Sequence, residues 1–268
     1  MWYNGDERTL GQSVDRFIAS AELPELPGVP VAVIAPHAGH RYSGACAGYA
    51  FRTVSGMHFD LVAVISPMHQ YDHRPLLTTA HQAYLTPLGE VPVDLGAVAA
   101  LETALKKELG FGLAQVAFDR EHSLEIELPF LQRALAGGFK LLPVMVRDQS
   151  PHTAEGLGRA LARVLKDRRA LLVASTDLSH FYTEAEANRL DQAMLDQVGA
   201  FSPEGAFQVE SAGKGYACGL GALAAVLWAA RTLGADRVKV LKHTTSAETT
   251  GDASQVVGYG AAVALKPG

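Results

Sequence analysis

Two cysteines, Cys46 and Cys218, are all the thiol this 268-residue chain carries. They cannot build a disulfide framework, and they suit a reducing, cytoplasmic setting in which a cysteine acts as a thiol. Long apolar runs are missing too. Nowhere do about 18 consecutive apolar residues occur, so no segment is predicted to span a bilayer. Positive charge is not in excess either. Lys and Arg number 23 against 28 Asp and Glu, a net charge of −5, which leaves no electrostatic footprint for nucleic acid or an anionic membrane. The polar opening MWYNGDERTLGQSVDRF leads into no apolar h-region and reads as no secretory signal. There is no GxGxxG and no GxxxxGK[ST], so neither dinucleotide nor P-loop chemistry is suggested. GxSxG, HExxH and CxxC are absent as well.

What is present is ordinary globular material, 48% hydrophobic and 19% charged, with no repeat or low-complexity tract. Short apolar runs at Val31–Ala35, Leu61–Ile65, Leu141–Val146, Ala170–Ala174, Val238–Leu241 and Val257–Leu265 have the length and β-branching of strands. They show no polar alternation, which predicts a sheet covered on both faces by helices. Helical patterns fall between them at Ser43–Val54, Leu95–Leu109, after Ser150-Pro151, from Thr183 to about Val198, after Ser202-Pro203 and over Gly219–Leu233. Ser before Pro is a cap-then-first-turn signal, and Thr183 with Glu186 makes a capping box. Pro75–Pro92 reads as a β-hairpin insertion, and the Pro-rich residues 22–30 as a lead-in to the first strand. The sum is one α/β domain over residues 1–268, core about 27–265, with a mixed, mostly buried sheet.

Chemistry gathers just past the strands. Val31–Ala35 runs into Pro36-His37-Ala38-Gly39-His40, Leu61–Ile65 into Ser66-Pro67-Met68-His69, and Ala170–Ala174 into Ser175-Thr176-Asp177-Leu178-Ser179-His180. Ligands of open α/β sheets bind beyond the carboxyl ends of parallel strands, so parallel pairing would bring His37, His69 and His180 to one rim. Plainer readings stay open: His37 capping a tight turn, His69 on a surface loop, His180 merely paired with Asp177. Cys218 precedes an apolar helix, where a thiol tends toward thiolate; a small buried hydrophobe is the plainer reading. Cys46 lies within a helical pattern and reads as core. His122 and Glu125, three apart, would share a helical face, either as a capped helix start or as groups orienting a metal-bound histidine.

PHAGHRYSG (36–44), SPMHQ (66–70), EHSLEIELPFL (121–131), STDLSHF (175–181) and ACG (217–219), in this order, resemble the Memo family, whose prokaryotic members are also called AmmeMemoRadiSam system protein B. The resemblance implies a fold similar to class III extradiol dioxygenases, non-haem iron enzymes that open catechol rings. There two histidines and a carboxylate bind Fe(II), and a further histidine serves as acid/base. In the Memo family a cysteine takes the carboxylate's place. Carried over by motif, His37, His69 and Cys218 would be the metal ligands. His180 would be the acid/base supported by Asp177, and His122 and Glu125 would line the pocket. Two positions depart from the family pattern: His40 stands where Tyr is frequent, and Gln70 where a second histidine is common.

The resemblance thus implies a metal-dependent redox enzyme using Fe(II), Cu or Zn on a small-molecule or peptide substrate. Its alternatives are a peptide- or protein-binding module using the same pocket, or a component of a modification pathway with AMMECR-type and radical-SAM protein partners. Radical-SAM chemistry itself would lie in the partner, since this chain lacks the cysteines for an iron–sulfur cluster.

Overall fold

A computed structural model describes residues 2–268. The chain opens with helix α1 (Glu7–Ala19), strand β1 (Val29–Ala35), α2 (His40–Arg52) and β2 (Leu61–Pro67). Then come β3 (Leu76–Thr79), β4 (Ala83–Thr86), β5 (Gly89–Pro92), α3 (Leu95–Leu109) and β6 (Ala114–Val116). A single 3-10 turn, Glu125–Glu127, leads into α4 (Leu128–Ala134), β7 (Lys140–Val146), α5 (Pro151–Leu165) and β8 (Ala170–Ser175). The remainder is β9 (His180–Tyr182), α6 (Glu184–Gly199), α7 (Pro203–Ser211), α8 (Leu220–Thr232), β10 (Arg237–Thr245), α9 (Ala247–Thr250) and β11 (Val256–Lys266).

The predicted caps act as such. Ser150, Thr183 and Ser202 each accept a hydrogen bond from an amide three residues on, at the starts of α5, α6 and α7. Each satisfies one of the orphan donors of a helix N-terminus.

Strands order as β10-β11-β1-β8-β2-β7-β3-β6, with β9 paired to β11. The centre, β1-β8-β2-β7, is parallel; β11, β10 and β3 add antiparallel neighbours, so the sheet is mixed. Its central strands bury both faces, successive residues alternating between them. Ala32, Ile34, Ala63, Ile65, Leu172 and Ala174 pack with α3, α5, α6 and α8. Val33, Ala35, Val62, Val64, Leu171 and Val173 pack with α1, α2 and α4. Each such Val, Leu or Ile contributes about 1.5–3 kcal/mol. The continuous apolar runs were the signature of this two-sided burial.

Three parts differ from the sequence reading. The polar opening forms α1, capped by Asp6, whose Leu10, Val14 and Ile18 reach the core. Pro75–Pro92 is not one hairpin: β4 and β5 form it, while β3 joins the main sheet beside β7. Edge strand β6 carries too short a pattern to stand out.

Helices α1 and α2 approach closely because α2 supplies glycine. A Cβ at Gly48 would lie 2.3 Å from the Phe17 carbonyl oxygen. Gly48→Ala is expected to cost roughly 1–3 kcal/mol through overpacking. The check is a lower urea midpoint with unchanged m-value.

Registers Ala35 to Ser175, Ile65 to Ala174 and Pro67 to Val146 bring four parallel strands to one carboxyl rim. No helix is long and apolar enough to cross a membrane among the described residues.

Candidate metal centre

Three loops are stitched together at that rim. Asp177, just past β8, accepts hydrogen bonds through Oδ1 from the amides of His37 (2.8 Å) and Ala38 (3.2 Å), just past β1. The segment before α8 is tied in through Cys218 N–H to the Asp177 carbonyl and Gly219 N–H to Thr176 Oγ1. Gly219 is required there: a Cβ would sit 2.6 Å from the Ser175 carbonyl oxygen.

On this frame His37, His69 and His122 each offer one ring nitrogen, all within 4.8 Å of one another. Ring centroids are 5.3–5.8 Å apart. These three imidazoles could hold a metal ion. Two of them are fixed from behind. His37 Nδ1 meets Ser175 Oγ at 2.9 Å, and His69 Nδ1 meets Glu121 Oε1 at 3.0 Å. Such partners orient a ligating histidine and leave the other nitrogen facing the metal. Glu121 is itself over-determined, accepting from the amides of His69, His122 and Ser123.

Electrostatics follow from this packing. Burial, reinforced by its imidazole neighbours, holds His37 well below the usual histidine range. His122 is also lowered, chiefly by burial. His69 moves upward, its hydrogen bond to Glu121 outweighing burial. Burial pushes the Glu121 carboxyl up, but the His69 ring and the amides of Ser123 and His69 outweigh it and leave the carboxyl low. Asp177 is pushed up to about 6 by burial, against the pull of His180 and the amides of His37 and Ala38.

The other expected residues fall close by. Cys218 Sγ lies 3.2 Å from His37 Nε2, beside the three-imidazole group, and also takes the Asp177 amide at 3.2 Å. Its thiol is not lowered as a helix N-terminus would suggest. Burial pushes it up, and the Asp177 carboxylate adds to that. His180 donates through Nδ1 to the Leu178 carbonyl (2.9 Å), and its field reaches His37 and Asp177. Asp177 braces the His37 turn and makes no hydrogen bond to His180. His122 enters the imidazole group, whereas Glu125 turns away to accept from the Tyr3 hydroxyl. His40, the departure from the family's Tyr, lies outside the imidazole group. It is buried, its Nε2 on the Ile126 carbonyl (3.1 Å), and burial pushes it down to about 4. Gln70 is half-buried. Cys46 is fully buried core.

Sequence reasoning missed Glu121, Ser175 and the N-terminal residues. Glu121 stands next to His122 and was within reach of the motif. Trp2 gave no signal: its ring stacks on His122 with centroids 3.7 Å apart and planes 2° from parallel. Its carbonyl also accepts from the His40 amide.

A cavity of about 960 Å³ opens at the opposite rim, lined by Asp60, Lys140, Arg168 and Arg169 among others. None of the residues above lines it.

The Memo-like protein family matches residues 1–263. A MEMO1 family protein of Nitrosopumilus maritimus is 37% identical over 229 residues, 85% of this chain and 82% of that protein. One from Pyrobaculum aerophilum is 33% identical over 241 residues, covering 89% and 84%. One from Methanopyrus kandleri is 32% identical over 258 residues, covering 92% and 88%. Among solved structures, an uncharacterized Escherichia coli K12 protein, JW3007, aligns with a TM-score of 0.47 at 14% identity, covering 87% of this chain and 98% of that one.

Proposed function

The chain belongs to the Memo-like protein family, and from that premise we propose that it is a metal-dependent redox enzyme acting at the carboxyl rim. The observation that carries this reading is the convergence of His37, His69 and His122 within 4.8 Å, with a thiol alongside. The donor set fits a first-row transition metal: imidazole suits iron, copper and zinc, and a sulfur donor softens the site. His37, His69 and His122 would hold it, with Cys218 as a further donor once its proton is lost. A bound iron or copper supplies a Lewis acid and one-electron redox chemistry.

The protein's own groups would do the rest. His180, its Nδ1–H committed to Leu178, keeps Nε2 free to take or give a proton. Asp177 fixes the His37 turn. The test is anaerobic purification with elemental analysis of wild type and Cys218→Ser, then oxygen uptake with a catechol panel. Stoichiometric iron or copper with uptake that fails in His180→Ala is the expected result. A protein that retains no redox-active metal after reconstitution would refute the reading.

Metal binding should depend on pH through His69. A proton and a metal compete for its imidazole, and Glu121 raises its pKa. Affinity should therefore fall as pH drops through that raised value. Glu121→Gln removes the carboxylate, so the fall moves to lower pH, while affinity at high pH weakens roughly 10–100-fold. Zn(II) titrations at several pH values read both effects.

One feature favours a second reading, a module that binds peptide or protein partners in the same pocket. Trp2, Tyr71 and Phe181 are 47%, 86% and 71% exposed on segments that carry or touch site histidines, and exposed aromatics of this kind anchor partners. AMMECR-type and radical-SAM proteins are the partners to try. Capture that persists in His37→Ala/Cys218→Ala would separate binding from metal chemistry.

A further inference from the structure

Behind His37 sits a carboxyl group that the metal reading does not use. Glu127, in the turn before α4, is 0% exposed. Its Oε1 lies 2.7 Å from Ser175 Oγ, and its Oε2 has no partner. The same Ser175 Oγ lies 2.7 Å from the Ser123 carbonyl oxygen and 2.9 Å from His37 Nδ1.

A hydroxyl carries one hydrogen and two lone pairs, so three close contacts to one hydroxyl oxygen overdetermine its protons. The Ser123 carbonyl can only accept, so it takes the Ser175 hydrogen. The two remaining contacts then need their hydrogens from the other side. Any other assignment leaves two lone pairs facing each other, oxygen on oxygen at 2.7 Å or nitrogen on oxygen at 2.9 Å.

We propose that Glu127 is a positioning residue: it is kept protonated and donates its O–H to Ser175, which pins that hydroxyl with its hydrogen on the Ser123 carbonyl and a lone pair toward His37, so that His37 carries its own proton on Nδ1 and presents Nε2 to the metal. The environment agrees. Burial holds the Glu127 carboxyl well above its usual range, with the nearby Asp177 adding to it and only the Ser175 hydroxyl opposing. A buried carboxylate without a cation would be expensive, whereas a neutral acid is not. The proton placement stands on hydrogen-bond geometry alone. Its consequence for metal affinity rests on the three-imidazole site of the proposed function, and the two are measured separately.

The experiment uses the full chain, as wild type and two variants, and three readouts. In metal-free, histidine-¹⁵N-labelled protein, His37 is expected as the Nδ1–H tautomer. The infrared difference between wild type and Glu127→Gln is expected to contain a carboxylic-acid carbonyl band at neutral pH that shifts in D₂O. Glu127→Gln, whose amide can donate to Ser175 as the acid does, should keep the tautomer and hold Zn(II) affinity within about threefold. Glu127→Met, similar in volume but without a donor, leaves the Ser175 hydroxyl unpinned and able to turn its hydrogen toward His37, so it should mix the tautomers and weaken Zn(II) roughly 10–100-fold.

A carboxylate band in place of the acid band overturns the proposal, as does a Gln variant that behaves like the Met variant. If the tautomer and the acid band are as stated but Glu127→Met binds Zn(II) like wild type, the positioning role is overturned while the proton placement stands. If wild type itself fails to bind Zn(II), the metal reading falls, and the tautomer and infrared results still decide this one.

Discussion

Replacing His37 by alanine is expected to strip the protein of its metal, with affinity falling by about two orders of magnitude or more. Even residues that only orient a ligand are worth roughly 10–100-fold, and His37 would be a ligand itself. It is the best-fixed of the three imidazoles: nearly fully buried, backed by Ser175, with its Nε2 facing Cys218. The fold should survive, because the contact that ties its loop to Asp177 is made by the His37 amide. His152→Ala, on the exposed first turn of α5, is the matched control and should bind as wild type does. Elemental analysis and Zn(II) titration of both variants check this. A His37→Ala protein that still carries stoichiometric metal would place the ion elsewhere.

A large loss of stability should come from Asp191→Ala. Asp191 lies on α6 and is fully buried. Its Oδ2 pairs with His243 Nε2 at 2.9 Å, and its Oδ1 accepts from the Ser179 amide at 2.9 Å. The carboxylate fits so tightly that a Cβ at Gly258 would lie 1.8 Å from Oδ2. Alanine leaves the buried Ser179 amide and the part-exposed His243 imidazole without their partner, a loss of about 1–3 kcal/mol for a buried unsatisfied group. The melting temperature should fall by several degrees. By contrast Asp15→Ala, which removes an exposed partner of Arg133, should cost no more than about 1 kcal/mol. Equal losses in the two variants would refute the assignment. Because Ser179 directly precedes His180, Asp191→Ala should also loosen the histidine proposed as acid/base.

Legibility in the sequence followed the physics of each signal. Strands buried on both faces announce themselves as unbroken apolar runs, so β1, β2, β7 and β8 were readable, and their parallel pairing put His37 and His69 on one rim as expected. Caps were readable because Ser150, Thr183 and Ser202 act within three residues of themselves. Helix α1 was not recognised, although Leu10, Val14 and Ile18 recur at helical spacing among polar neighbours. The site was legible only where its residues sit in motifs. Glu127 looks like one more charge in an acidic helix start, and only the fold reveals that it lies under His37. Likewise, the charge on Asp177 and the thiol of Cys218 depend on burial, which no local spacing encodes.

The aromatic ring of Trp2 covers one face of His122, so Trp2 forms part of the doorway to the imidazoles. An affinity tag fused at the front of this chain would therefore hang over the three imidazoles, whereas one at the far end would not. The indole also offers a built-in optical probe. The other tryptophan, Trp228, stands on α8 against Glu204, so a change in emission on adding metal would originate at the doorway.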